Sequence, residues 1–424
     1  MRILFLAYNH VSISPGGAQQ VGAEMVRAAL SQGHEVEMVV ALDPVDTARF
    51  ARAETAIVKA PRERGVTYFV PRDYDLELIS CADWRATGDL REFIRRYRPD
   101  VIHFQHYHRL GVEAIVAARL AAPQATISLT FHEMIAMCPA NGQMVKIPSR
   151  RICHEAAPEA CAQCLPERGA EFYALRADRI RTAFAYCDGF VFPSRYLRDL
   201  FVGWGLPAAK CAVIPNGLAH PALRFDRTTH SANVNRFAFF GQLIDHKGVD
   251  VVLRALLILA GSGRIASAGV EFHIHGANQR YATPAYLDDL EDLAREVVSV
   301  SGGRIRVVDR GEYRRDEIGE RMADADWVLV PSVWPENDPL VVLEARMFGR
   351  PVIGSAAGGL AERIRHGVDG FTFPLGDAEA LADRIAAVCS DEATWKRLSK
   401  AIVAPSSDEQ MFSAYERLWS QPRN

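Results

Sequence analysis

Lysine is scarce in this sequence. Only six of the 49 basic residues are lysines, at positions 59, 146, 210, 247, 396 and 400, so arginine is the default cation. No run of about 20 apolar residues occurs, which leaves no segment to span a bilayer. The opening "MRILFLAYNH" lacks the length and the flanks of a signal peptide. Eight cysteines in 424 residues are too few for a disulfide scaffold, and a reducing, cytoplasmic setting is expected, with at most peripheral contact with the inner face of a membrane. A strong charge of one sign is missing too: the net charge is −3, so no basic field argues for nucleic acid. No Asp-x-Asp pair stands at a strand end, because "DADW" (324–327) ends a helix and enters a strand.

What is present is alternation. Apolar runs such as "RILFLAY" (2–8), "EVEMVVAL" (35–42), "DVIHFQH" (100–106), "ATISLTFH" (125–132), "GFVFPS" (189–194) and "CAVIPNG" (211–217) are separated by segments of helical period. The pattern restarts with "RFAFFGQL" (236–243) and continues through "VEFHIHG" (270–276), "RIRVVDRG" (304–311), "DWVLVPS" (326–332) and "RPVIGS" (350–355). Strands alternating with helices imply parallel sheets with crossover helices. The polar stretch over residues 218–235 reads as a linker. The expectation is α/β architecture with two doubly wound, Rossmann-like domains, 1–217 and 236–405, facing a central cleft. A last amphipathic helix, 406–420, is expected to pack back on the first domain.

Ligands of open parallel sheets bind at the carboxyl ends of the strands, and polar residues gather there. Gly16 and Gly17 follow the first strand and open a helix, where backbone amides favour an anion. His132 closes "ATISLTFH", placed to orient or deprotonate a hydroxyl. Lys247 stands at the mouth of the helix after "FFGQL", against the helix dipole and in a chain that prefers arginine. Both facts suit a compact point charge for phosphate. In "VWPENDPLVVLEARMFGRP" (333–351), Asp338 and Pro339 read as N-cap and first helical residue. Glu336 then lies in the loop and Glu344 in the second helical turn. That is too far apart for a salt-bridge pair with one helix neighbour, and it suits two tasks on one elongated ligand. Cys138, Cys153, Cys161 and Cys164 form a C-x14-C-x7-C-x2-C cluster. Three readings of it stand open: a structural zinc site, a disulfide pair, or plain thiols.

Together these stretches resemble the retaining glycosyltransferases of family 4, within the glycosyl transferases group 1 and the GT-B architecture. The resemblance is carried by "SPGGAQ", "TFHE", "VFPSRYLRDLF", "VIPNGL", "FFGQLIDHKGVDVVLRAL", "FHIHG", "ADADWVLVPSVWPENDPLVVLEARMFGRPVI", "GGLAERI" and "GVDGFTFPLGD". It implies transfer of a sugar from a nucleotide-diphosphate-sugar donor to a saccharide, lipid-linked or small-molecule acceptor, with retention and with no cofactor required for catalysis. By the same resemblance Glu336, His132 and Lys247 are the catalytic residues. Glu336 contacts the sugar hydroxyls, Lys247 the diphosphate and Glu344 the ribose hydroxyls. Gly16, Gly17, Gln242, Gly276, Tyr313, Asn337, Asp338, Pro339 and Leu340 complete the donor-binding set. The family usually carries Arg where this chain has Gln242. A second cation on the leaving group is then missing, a loss on the order of 1–3 kcal/mol of charge-assisted hydrogen bonding. The alternatives are a catalytically silent sugar-nucleotide-binding subunit, or an epimerase or phosphorylase of the same architecture.

Overall fold

The computed structural model describes residues 1–47, 50, 53–61, 63–147, 149–219, 230–277 and 282–421. The chain divides into two units, Met1–Ala219 with Ser406–Asn424, and His220–Pro405. Most of the stretch expected as a linker, residues 220–229, lies outside the described residues.

Unit 1 is built on eight strands: Arg2–Tyr8 (β1), Glu35–Ala41 (β2), Ile57–Lys59 (β3), Val66–Phe69 (β4), Val101–Phe104 (β5), Thr126–Thr130 (β6), Gly189–Phe192 (β7) and Cys211–Val213 (β8). Their order is β3-β4-β2-β1-β5-β6-β7-β8, parallel except for the antiparallel β3–β4 pair. The short pair β3–β4 is not marked by the apolar alternation. The strands that are marked are covered on both faces, so they read as near-continuous apolar runs: Ile3, Leu4, Phe5 and Leu6 of β1 are all fully buried. The C-terminal helix Asp408–Trp419 lies in this unit, with Phe412 and Tyr415 fully buried. Arg27 of helix Gly17–Ser31 pairs there with buried Asp408.

Unit 2 carries six strands: Arg236–Gln242 (β9), Val270–Ala277 (β10), Ile305–Asp309 (β11), Trp327–Val330 (β12), Val352–Ser355 (β13) and Gly370–Phe373 (β14), all parallel in the order β11-β10-β9-β12-β13-β14. Helix Val249–Gly261 covers one face, with eight of its side chains buried against the sheet core. In each sheet the strand order reverses beside the first strand of the unit, at β1/β5 and at β9/β12. Those reversals open the crevices in which α/β sheets bind ligands.

Candidate active site

The β9/β12 crevice of unit 2 collects most of the residues singled out in the sequence. After β9 the chain passes Gln242, makes a short 3-10 turn over Asp245–Lys247 and starts the next helix at Val249. Gly248 joins turn to helix at φ 72°, and a Cβ there would collide with the Pro331 carbonyl oxygen. Only glycine lets the Lys247 turn sit this close to the segment after β12.

That segment brings Glu336 to Lys247. Glu336 Oε1 accepts from Lys247 Nζ at 2.6 Å, from Ser332 Oγ at 2.8 Å and from Trp334 Nε1 at 3.0 Å. Burial would raise this carboxyl, but the Lys247 ammonium and the two other donors outweigh it and hold it below the usual carboxylate range. The Trp334 ring also faces the ammonium, at 5.6 Å. Lys247 is therefore not a solitary cation: Glu336 neutralises it.

The helix after Glu336 begins later than expected. Pro339 is the extended cap residue (φ −67°, ψ 120°) and helix Leu340–Met347 starts at Leu340. Asp338 does not cap it, because its carboxylate is held by Arg363 in a two-pronged pair, at 2.6 and 2.7 Å. The Glu336 carbonyl accepts from Gly359 N at 2.7 Å. Neighbouring Gly358 (φ 61°) leaves no room for a Cβ against the same carbonyl. The "GGLAERI" stretch thus props up the Glu336 loop from below with two glycines and Arg363.

Glu344 is partly buried one turn into that helix. Burial raises its carboxyl, against the opposing charge of Arg315. Tyr313 shares its electrostatic environment and belongs to a ring cluster with Phe240 and His275, the latter two stacked at 4.3 Å. Gly276 follows His275 on β10, level with Gly241 and next to the Ala277–Gln242 pair. Unit 2 thus brings Lys247 to Glu336, ties Asp338 to Arg363, and sets Glu344 within electrostatic reach of Tyr313.

Unit 1 carries the remaining residues. Gly16 caps helix Gly17–Ser31 in extended backbone, with no side-chain cap and no acidic residue in the first turn. His132 lies two residues beyond β6. It meets Gln105 at 2.6 Å, and Gln105 meets His103 at 3.1 Å. Burial and the nearby His106 push the His132 imidazole down to about 3, so the ring is neutral. The loop after it is pinned by buried Arg176, which donates to the carbonyls of Ile135 and Ala136 at 2.7 and 2.6 Å.

Sequence reasoning missed Ser332, Trp334, Gly248, Gly358, Arg363, His103 and Gln105. A signal for the last two was present: "HFQ" and "SLTFH" place polar residues two apart inside apolar strands, which puts them on one face of the sheet.

The four cysteines of the 138–164 cluster, all free thiols, line one small cavity of about 20 Å³. Among the described residues no group of three or more His, Cys, Asp or Glu side chains is placed to hold a metal ion.

The sequence profile of Glycosyltransferase Family 4 matches residues 15–220, and that of Glycosyl transferases group 1 matches residues 234–391. The chain belongs to the family 4 glycosyltransferases. This family 4 chain is 28% identical over 197 residues to the amylovoran biosynthesis glycosyltransferase AmsK of Erwinia amylovora, covering 45% of the chain and 44% of that relative. It is 35% identical over 181 residues to a D-inositol 3-phosphate glycosyltransferase of Mycolicibacterium vanbaalenii, covering 39% and 36%. The matched stretches thus span less than half of these relatives. Among solved structures, Anabaena Alr3699/HepE in complex with UDP superposes with a TM-score of 0.66 at 18% identity, covering 99% of the chain and 100% of that structure. The family 4 chain shares this GT-B fold of two parallel-sheet, Rossmann-like domains. None of its described helices is long and apolar enough to cross a membrane.

Proposed function

We propose that the protein is a retaining glycosyltransferase that moves a sugar from a nucleotide-diphosphate-sugar donor to an acceptor hydroxyl. The Lys247–Glu336 pair at the β9/β12 reversal carries the reading. Donor binding inserts a diphosphate beside Lys247 and hydroxyls beside Glu336, so the pair exchanges one partner for two. The bond from the anomeric carbon to the diphosphate oxygen breaks as the bond to the acceptor oxygen forms on the same face. The acceptor proton passes to the departing phosphate, and a nucleoside diphosphate leaves. Lys247 stabilises the charge that builds on it, and amides at the helix start near Leu340 support it. Glu344 receives the ribose hydroxyls, one helical turn from the sugar site. The Alr3699/HepE structures with UDP and with UDP-glucose support a nucleotide-sugar donor, with UDP-glucose the first to try. The acceptor is a saccharide, a lipid-linked saccharide or a small molecule, met at unit 1 near Gly16, Gly17 and His132. A cytoplasmic location and a metal-free catalytic step complete the reading.

The test is nucleoside diphosphate release from a panel of sugar nucleotides with saccharide acceptors. Lys247→Ala and Glu336→Gln are each expected to lower turnover by about 10²-fold or more, the scale of losing one preorganised charge contact. Turnover near that of the wild type in either variant overturns these roles. Binding without release in the wild type favours the silent subunit, in line with Gln242.

For the cysteine cluster we propose a structural zinc ion. Cys161 and Cys164 lie one turn apart on helix Pro158–Cys164 and line one small cavity with Cys138 and Cys153; as placed the four do not form a metal-holding group, so binding would draw them together. The Cys138 and Cys153 thiols donate to the carbonyls of Ala140 and Glu155, the arrangement of protonated thiols. Deprotonation on metal binding releases both. Elemental analysis is expected to find one zinc per chain, lost in Cys161→Ser/Cys164→Ser. A metal-free chain after growth and purification with zinc overturns the proposal.

A further inference from the structure

A file of buried polar groups runs through unit 1 from the C-terminal helix to His132. Trp419 Nε1 lies 2.7 Å from Ser128 Oγ, and Ser128 Oγ lies 2.8 Å from His103 Nδ1. His103 Nε2 lies 3.1 Å from Gln105 Oε1, and Gln105 Nε2 lies 2.6 Å from His132 Nε2. Ser128, His103 and Gln105 are at most 1% exposed and Trp419 is 5% exposed. Water therefore cannot substitute for a wrong partner. Thr130 Oγ1, itself in contact with Tyr415 OH at 2.9 Å, also faces His103 Nε2 at 3.1 Å.

The direction of the file follows from the donor inventory. An indole N–H only donates, so Ser128 Oγ accepts from Trp419. The hydroxyl hydrogen of Ser128 then needs an acceptor, and His103 Nδ1 is the one beside it. A neutral His103 that accepts at Nδ1 carries its proton on Nε2 and donates to Gln105 Oε1. That fixes the Gln105 amide, whose NH2 is left to donate to His132 Nε2. The opposite arrangement, with His103 donating from Nδ1, gives Ser128 two donors and no described acceptor for its own hydrogen. A buried donor without a partner disfavours it.

We infer that Trp419, through Ser128, His103 and Gln105, sets the tautomer of His132, with its proton on Nδ1. Trp419, Ser128, His103 and Gln105 are positioning residues for that ring. A His132 so held spends its only ring lone pair on Gln105. It offers an N–H and has no free lone pair with which to take a proton, so it donates a hydrogen bond rather than serving as a general base. The consequence for transfer rests on His132 being a residue of the active site; the tautomer does not.

The experiment uses the full chain with 15N-labelled histidine. Two-bond 1H–15N correlation reads the tautomer of each ring, and His132→Asn assigns the signal. The expected wild-type pattern is Nδ1–H at His132. Trp419→Phe, which keeps the ring but loses the donor, and Ser128→Ala are each expected to move His132 to a mixture of tautomers. Both should lower kcat for transfer about 5- to 20-fold, with the donor KM within about twofold. A wild-type His132 protonated at Nε2, or a tautomer unmoved in both variants, overturns the inference. If the tautomer follows Trp419 while His132→Asn transfers at the wild-type rate, the relay stands and the role of His132 in transfer falls.

Discussion

Three glutamates show how one neighbour decides a carboxyl. Glu336 lies below the usual range because Lys247, Ser332 and Trp334 outweigh its burial. Glu344 is raised by burial, which the opposing charge of Arg315 does not offset. Glu133 is the most perturbed of the three. Burial pushes it up to about 7, and the Ile135 N–H, the Tyr107 hydroxyl at 3.0 Å and the charge of Arg176 offset this only in part. The folded protein therefore holds a proton on Glu133 that the unfolded chain releases near pH 4.5. This contribution to stability is fully present below about pH 4.5 and is lost as pH rises toward about 7. Between those values wild-type stability is expected to fall relative to Glu133→Gln, by up to about 1.4 kcal/mol per pH unit. Urea unfolding of both proteins at pH 5, 6 and 7 checks it, and parallel pH profiles would refute the assignment.

At the scale of elements, the segment between β12 and helix Leu340–Met347 is shaped by its supports. Its polar backbone is tied to Gly359, its Asp338 to Arg363 and its Glu336 to Lys247. The Asp338 side chain is fully buried and that of Arg363 is 18% exposed. Removing Arg363 takes its cation away from a buried carboxylate. Arg363→Met is expected to cost about 3–5 kcal/mol, and Asp338→Leu added to Arg363→Met to recover much of it. Denaturant midpoints of the single and double variants measure this. Equal loss in both would show that the pair contributes through its charge interaction rather than by compensating burial. Gly248→Ala tests the same supports from the β9 side. A Cβ at φ 72° against the Pro331 carbonyl is expected to destabilise unit 2 by about 1–3 kcal/mol.

At the scale of the molecule, the chain leaves unit 1, builds unit 2 and returns to unit 1 for its last helix. That return completes the core of unit 1: Met411, Phe412, Tyr415 and Trp419 are all buried, and Asp408 pairs with Arg27. Aromatic truncations alone cost about 3–5 kcal/mol each, against a total stability on the order of 5–15 kcal/mol. A chain ending at Pro405 is expected to lose the cooperative unfolding of unit 1 and to leave its amides unprotected in hydrogen exchange. Protection equal to that of the full chain would show the helix to be dispensable.

The sequence by itself determined the class of fold and singled out Lys247, Glu336 and Glu344. Parallel strands buried on both faces must be written as apolar runs, and a glycine or a charge at a strand end stands out against them. β3 carried no such mark because none of its three residues is fully buried, whereas β4 is buried throughout and its four residues form a run like those of β5 and β7. The motif also gave Glu336 and Lys247 separately, but not their pairing, because 89 residues separate them and only the β9–β12 adjacency closes that distance. The same holds for His132. Its position was legible from the end of a strand, whereas its protonation pattern depends on Trp419, 291 residues from the Ser128 that receives its hydrogen bond. Registers such as His103 opposite Ser128 decide which polar atoms meet. Hydrogen bonds form between neighbours in space, and a linear pattern records which residues are polar without recording which of them will touch.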